Sequence, residues 1–156
     1  MQILRGTKPM MNFELFFSLA SLLAMGGWIT LLASPLIPQW SDRIAGLIIP
    51  VLLSAGYVVL ILFFSSSEEG GFGSLAEVTI LFSHEDAVLA GWVHYLAFDL
   101  LIGAWVCRTA RREGINFWFV APCLPLTLML GPAGYLAFNA VRLIPRKKQQ
   151  AGDESS

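Results

Sequence analysis

The chain has 156 residues, of which 56% are apolar and only 13% are charged, and its mean hydropathy is +0.67. A soluble domain carries about 25% charged residues, so this composition leaves too little charge to cover a water-exposed surface. The formal net charge of -1 provides no basic field for phosphate groups. The composition therefore excludes a soluble enzyme, a disordered regulator and a nucleic-acid-binding protein, and it indicates an integral membrane protein.

Four apolar segments are long enough to cross a bilayer core, which needs about 20 residues per helix. They cover approximately residues 13–34, 45–66, 87–107 and 116–138. Pro35 and Pro38 end the first segment because proline cannot continue a helix, and Ser41-Asp42 is the predicted N-cap of the second. We predict an all-α fold, a polytopic membrane four-helix bundle with a kinked fourth helix.

The remaining segments are short. Residues 1–144 are predicted to form a single four-span domain, and residues 145–156 a polar, disordered tail. Arg5 and Lys8 resemble the start of a signal peptide, but the apolar stretch that follows is longer than a typical signal sequence, so we expect an uncleaved first helix. Segment 72–83 is too short to span and predicts a helix at the membrane interface, with a re-entrant element as the alternative.

Basic residues give a weak orientation signal. Four spans would place both chain ends and the middle loop on one side, with six Lys and Arg residues against four on the other. The six are Arg5, Lys8, Arg142, Arg146, Lys147 and Lys148, and the four are Arg43, Arg108, Arg111 and Arg112. By the positive-inside rule, this distribution predicts that both termini lie in the cytoplasm.

Two ionisable residues lie in the third segment, and they are the main candidates for function. Asp99 falls near the middle, where an aspartate costs about 2.5–3.5 kcal/mol on insertion scales, and His94 lies one and a half turns earlier. Such residues usually face the bundle interior and mark a functional site. The alternative is structural: Asp99 would bond a neighbouring helix as a neutral acid, and His94 would be a packing residue.

Helical geometry separates the two candidates. At 100° per residue, His94 and Asp99 lie about 140° apart around the helix, so we do not expect one metal ion to bind both, and we predict no metal. Interior aromatic residues are able to line a slot for an apolar ligand, although core packing is the commoner explanation. The predicted ligand-binding residues are Trp92, Tyr95, Trp105, Thr127 and Tyr135.

Prolines interrupt the fourth segment at Pro122, Pro125 and Pro132. Pro132 has no N–H group, so the main-chain carbonyl of Leu128 loses its usual helical partner. A polar group in lipid needs a substitute, and we expect a protonated Asp99 or the Thr127 hydroxyl to supply it. The alternative is a simple kink that serves packing.

These same stretches carry a family resemblance. They read WVHYLAFDL from Trp92 to Leu100, with Gly103 following, and LGPAG from Leu130 to Gly134, preceded by Pro122-Cys123-Leu124. The chain resembles the abscisic-acid-deficient-four-like family, small membrane proteins that include plant neoxanthin synthase. The resemblance covers about residues 10–143 and is specific in the third and fourth segments.

The resemblance implies a four-helix membrane protein of carotenoid metabolism. Plant members are linked to the conversion of violaxanthin to neoxanthin, an isomerisation that opens an epoxide to give an allene and a hydroxyl group. The net reaction needs no redox cofactor, so no cofactor is expected. It needs a proton donor at the epoxide oxygen and a base at the polyene. Asp99 and His94 match the family motif and are the expected catalytic residues.

The resemblance leaves the substrate and the activity open. The sequence shows no long Ser-rich, basic transit segment, so we expect a bacterial inner-membrane protein that acts on a carotenoid, an apocarotenoid or another isoprenoid. The expected partners are membrane lipid and an apolar polyene or isoprenoid ligand, and a homo-oligomer is compatible with the sequence. Two non-enzymatic alternatives are a module that binds a pigment or a partner protein, and a small proton-coupled transporter that uses Asp99.

Overall fold

The computed structural model describes residues 12–64 and 70–143, and every regular element within these ranges is helical, which confirms the all-α prediction. The α-helices are α1 (Phe13–Leu32), α2 (Pro38–Arg43), α3 (Ile49–Phe64), α4 (Leu75–Leu81), α5 (Glu85–Arg112), α6 (Phe117–Val120) and α7 (Cys123–Leu143). Within the described residues, four helical stretches are long and apolar enough to cross a membrane: Phe13–Leu32, Pro38–Leu62, Glu85–Arg112 and Cys123–Leu143. Arg5 and Lys8, the two basic residues before the predicted uncleaved first helix, lie outside the described residues. The predicted tail, residues 145–156, also lies outside them.

The second helix begins earlier than the sequence predicts. Pro38 occupies its first turn, where the missing N–H would have no partner in any case. Ser41 lies inside the helix and is fully buried. Asp42 accepts two hydrogen bonds, of 2.5 and 2.6 Å, from the Arg111 guanidinium of α5. The predicted N-cap at Ser41-Asp42 is therefore wrong, because the helix already begins at Pro38 and both residues lie inside it.

A π-helical turn, Ile44–Ile48, joins α2 to α3 without breaking the helix. A π turn holds one residue more than an α turn. Ala45 is completely buried in this turn, and a Cβ atom on Gly46 would meet Ala104 of α5 in ordinary contact at 3.4 Å. The turn therefore lies directly against α5.

The longest helix, α5, is the centre of the bundle. Its 28 residues span about 42 Å at 1.5 Å per residue. Near its beginning, Trp92 Nε1 donates to Ser21 Oγ of α1 at 3.0 Å. Near its end, Cys107 Sγ lies 4.0 Å from the carbonyl oxygen of Leu31. Because both contacts follow the same chain order, α1 runs parallel to α5.

The second span runs antiparallel to α5. Asp42 at its start pairs with Arg111 near the end of α5, and the Tyr57 ring lies 5.5 Å from the His94 ring in the first half of α5. Short helix α4 then returns the chain to the beginning of α5, and the Ser74 hydroxyl caps it by accepting from the Glu77 amide at 3.2 Å. A helix was predicted in this segment, and one is present.

The predicted kink in the fourth helix is present, and it is sharp. Leu130 leaves the helical conformation, with φ -142° and ψ 57°. Gly134 then packs so closely on Thr127 that a Cβ atom would overlap the Thr127 backbone. Residues seven apart in a straight helix are separated by about 10.5 Å along the axis. The two halves of α7 are therefore folded against each other at Leu130.

Both halves of α7 contact α5, the first through Leu128 and Tyr95. The second half makes three successive contacts with it, which pair Gly131 with Asp99, Tyr135 with Trp105, and Arg142 with Glu113. The Arg142 guanidinium donates to both carboxylate oxygens of Glu113, which is the C-cap residue directly after α5. The end of α7 thus returns to the level at which α5 ends.

Candidate functional site

Asp99 is buried at the kink of α7. Its residue is only 5% exposed, and one carboxyl oxygen, Oδ1, lies so close to Gly131 that a Cβ atom there would overlap it. The other oxygen, Oδ2, is buried and has no hydrogen-bond partner among the described residues. A buried polar atom without a partner costs free energy, so Oδ2 is an unusual feature that marks this position.

Tyr95 connects Asp99 to the broken backbone of α7. The two side chains lie one turn apart on α5 and within hydrogen-bonding reach of each other. The Tyr95 hydroxyl also donates to the Leu128 carbonyl at 2.5 Å, which is the carbonyl that the Leu130 break and Pro132 leave without a helical partner. We expected Asp99 or Thr127 to supply this bond, and both expectations are wrong. Thr127 donates instead to the Cys123 carbonyl at 2.7 Å.

A cavity of about 810 Å³ opens beside Tyr95 between α1, α5 and α7. Its walls are largely apolar, and Trp92, Met25, Leu128 and Met129 contribute to them. Trp92 is 38% exposed. Its ring lies 5.6 Å from the Tyr95 ring, so these two predicted ligand-binding residues form one wall. An apolar cavity with a few polar groups is typical of a small-molecule site.

His94 lies on a different face of α5 from Asp99, as the 140° separation predicts. Its side chain is exposed and stacks on Phe98, with ring centres 4.5 Å apart. It lines a second cavity, of about 430 Å³, between α3, α4 and α5. The two cavities share three lining residues, Phe82, Gly91 and His94. They are therefore neighbours around the first half of α5.

The other predicted ligand-binding residues lie elsewhere. Trp105 and Tyr135 form a separate aromatic cluster nearer the end of α5, with ring centres 5.3 Å apart, and the Phe138 ring completes it edge-on at 5.6 Å. The Arg142 guanidinium lies 6.0 Å from the Trp105 ring centre. Thr127 is fully buried, and its hydroxyl is occupied within α7. The structure thus brings together Asp99, Tyr95 and Trp92, and it places His94 at the same cavity as Tyr95 and Trp92. It does not bring Trp105, Thr127 and Tyr135 to them.

Several residues of the site were missed in the sequence. Gly131 was noted only as part of a family motif, yet its lack of a side chain makes room for Asp99. One sequence signal could have found it: Gly131 directly precedes Pro132, the proline that leaves the Leu128 carbonyl without a helical partner. Met25, Met129 and Phe82 line the cavities, but nothing in their sequence neighbourhoods distinguishes them from other apolar residues.

The described residues do not form a metal-binding cluster. Within residues 12–64 and 70–143, no group of three His, Cys, Asp or Glu side chains is arranged to hold a metal ion.

Comparison with known proteins identifies the family. No curated protein and no solved structure matches the chain. The family model described as ABA DEFICIENT 4-like matches residues 15–138, which include Asp99, Tyr95 and the kink of α7. This match confirms the resemblance, and together with the four apolar helices it fits a multi-pass membrane protein. The chain belongs to the ABA DEFICIENT 4-like family.

Proposed function

We propose that the protein isomerises a carotenoid or a related isoprenoid by acid–base chemistry inside the membrane. The substrate is a long apolar polyene whose oxygen-bearing end lies in the larger cavity, against Trp92 and Tyr95. The observation that carries this proposal is the buried carboxyl group of Asp99, whose Oδ2 has no partner and which Tyr95 links to the cavity wall.

The apolar cavity supports a polyene substrate. Its volume of about 810 Å³ lies within the usual range of about 300–1,000 Å³ for ligand sites. Exposed apolar residues, among them Met25 and Met129, border the cavity, so a ligand dissolved in the bilayer is able to enter sideways past them without crossing water. Methionine side chains also adapt to irregular ligand shapes.

Tyr95 and Asp99 are suited to deliver a proton. In the proposed reaction the Tyr95 hydroxyl releases the Leu128 carbonyl and donates its single proton to an epoxide oxygen, the C–O bond breaks, and Asp99 returns a proton to Tyr95. A base removes one proton from the polyene, so one proton enters, one leaves and no electrons are transferred. Asp99 lies at Gly131, where the second half of α7 begins, and the N-terminus of a helix accommodates negative charge.

His94 is the proposed base. Its imidazole lines both cavities, so a polyene that follows the apolar surface under Phe82 passes it. In this arrangement the acid and the base need not touch each other. They act at separate positions along one extended ligand, which is compatible with their placement on different faces of α5.

One feature favours a second candidate function, proton-coupled transport. Helices that break near the middle of a membrane, beside a carboxyl group, are typical of secondary transporters, and α7 breaks at Leu130 beside Asp99. Transport predicts a pH-dependent flux that requires Asp99 and leaves pigments unchanged.

The test is a pigment profile. The full chain is expressed in hosts that accumulate different carotenoids, including epoxy-carotenoids, and the pigments are separated by chromatography. We expect a new pigment of unchanged mass that disappears with Asp99→Asn and persists with Glu14→Gln, a matched carboxyl-to-amide change at an exposed position on α1. An unchanged profile in every host would contradict the isomerase proposal, and co-purification of unaltered pigment would favour a binding module.

A further inference from the structure

The two ends of the helical bundle can be told apart by their chain order. The first end contains the beginnings of α1 and α5 and the whole of α4. The second end contains the end of α1, the beginning of α2 and the end of α5, and the Asp42–Arg111 ion pair lies there. Three helical passes, made by α1, by α2 with α3, and by α5, connect the two ends.

The fourth apolar segment starts at the second end and also finishes there. It begins just after Glu113, where the Ile115 amide donates to the Ala110 carbonyl at 2.8 Å. It turns at Leu130, at the level of Tyr95 and Asp99, and returns until Arg142 pairs with Glu113. A fourth helix that crossed completely would leave Arg142 beside the start of α5, which is about 40 Å from its end. The ion pair is incompatible with that path.

The non-helical backbone at Leu130 is shielded from lipid by neighbouring side chains. Non-helical backbone at membrane depth is tolerated only where protein covers it or where it lines a cavity. Here the Tyr95 hydroxyl satisfies the Leu128 carbonyl, Asp99 packs against Gly131, and Leu128 and Met129 line the larger cavity. The hairpin tip therefore meets both conditions.

The distribution of charge assigns the two ends to membrane faces. All five arginines in the described part of the chain lie at the second end: Arg43, Arg108, Arg111, Arg112 and Arg142. The first end carries no described Lys or Arg, and its acidic residues are Glu14, Glu77, Glu85 and Asp86. In the sequence, three more basic residues follow Leu143 and two precede α1. Basic residues concentrate on the cytoplasmic face, where anionic lipid head groups attract them.

We propose that the fourth segment is a re-entrant helical hairpin, so that Asn12 and Leu143 lie on opposite faces of the membrane, with the arginine-bearing second end in the cytoplasm and facing anionic lipid. This replaces the expectation of two cytoplasmic termini, which assumed four complete crossings. The proposal does not depend on the proposed function, since it concerns the path of the chain and holds for an enzyme, a binding module or a transporter.

Cysteine labelling in intact cells tests the proposal. Single cysteines replace three exposed residues, Leu75 at the first end, Arg112 at the end of α5 and Leu143 at the end of α7. The native Cys107 and Cys123 are buried, so the unsubstituted chain is the background control. We expect a membrane-impermeant maleimide to label Leu75→Cys from outside, and to label Arg112→Cys and Leu143→Cys only after the membrane is opened. If Leu143→Cys behaves like Leu75→Cys, the hairpin is wrong. If all three labels are reversed, the assignment of the faces is wrong.

Chemical cross-linking gives a second measurement that does not depend on sidedness. Glu113→Cys with Arg142→Cys should be joined within the chain by a short, membrane-permeant bis-maleimide, because the native side chains meet in an ion pair. The matched control pairs Glu85→Cys with Arg142→Cys, and it should stay unlinked. Cross-linking of the control pair instead of the first pair would show that the fourth helix crosses the whole membrane.

Discussion

The Tyr95 hydroxyl donates a 2.5 Å hydrogen bond to the main-chain carbonyl of Leu128. This bond joins the central helix to the hairpin at the point where α7 loses its own hydrogen bonding. The same hydroxyl lies within reach of Asp99 and borders the larger cavity. One side chain therefore contributes both to the stability of the hairpin and to the proposed chemistry.

Replacing Tyr95 with phenylalanine should affect both properties. The Leu128 carbonyl would be left without a partner, which costs about 1–3 kcal/mol, and the proposed proton path would be interrupted. We expect a lower free energy of unfolding in detergent, together with loss of the new pigment. The control is Tyr135→Phe, because the Tyr135 hydroxyl has no hydrogen bond within the described ranges. A Tyr95→Phe protein as stable as the unsubstituted chain would argue against the structural role.

Gly131→Ala should force apart Asp99 and the hairpin. The added Cβ atom would overlap the Asp99 carboxyl oxygen, and overpacking of this kind costs about 1–3 kcal/mol. Asp99→Ala removes that oxygen, so the double variant should be less destabilised than the sum of the two single variants. Unfolding in detergent measures all three. Strictly additive losses would show that the two residues are not in contact.

Gly134→Ala should be more harmful than the same change at Gly26. The Cβ atom at residue 134 would meet the Thr127 backbone, which has no rotamer that moves aside, so we expect about 3 kcal/mol of destabilisation or more. A Cβ atom on Gly26 in α1 meets nothing within 4 Å. There the change should be neutral or should stabilise by up to about 1 kcal/mol. Equal effects at the two positions would contradict the folded-back path of α7.

His94→Gln should separate chemistry from folding. The side chain is exposed and stacks on Phe98, so stability should change by less than about 0.5 kcal/mol. As the proposed base, its loss should reduce pigment conversion by about 100-fold or more. His84→Gln is the matched control, since His84 lies at the start of α5 and its side chain makes no capping hydrogen bond. Full conversion by His94→Gln would remove His94 from the proposed reaction.

The helices themselves could be predicted from hydropathy, because a bilayer requires long apolar segments and the chain supplies them. The burial of Asp99 was expected for the same reason, since a carboxyl group in lipid must face protein. The start of the second helix was misplaced because Ser41 and Asp42 are polar. Polar residues in a sequence are typical of a loop, but here Arg111, far away in the chain, provides the partner of Asp42 inside the bundle.

The path of the fourth helix could not be predicted. The prolines indicated a break, yet the break angle depends on the φ and ψ angles of Leu130, and leucine has no special preference for a turn. The donor for the Leu128 carbonyl was misassigned for the same reason. With a straight helix assumed, Tyr95 had no route to that carbonyl, whereas the folded-back path brings the two groups into contact.

The π-helical turn at Ile44–Ile48 determines which side of α3 faces its neighbours. With the same residues in a regular α-helix, everything downstream would be rotated by about a further 100°. The π turn absorbs that rotation because it holds the extra residue within one turn, and Leu53 and Leu60 beyond it are almost completely buried. Straightening the turn without removing a residue would point both leucines toward the acyl chains and bring a lipid-facing stripe of α3 into the interior, whereas deletion of one residue would leave α3 facing as it does. The alignment of the whole pass is thus encoded in five residues at its beginning.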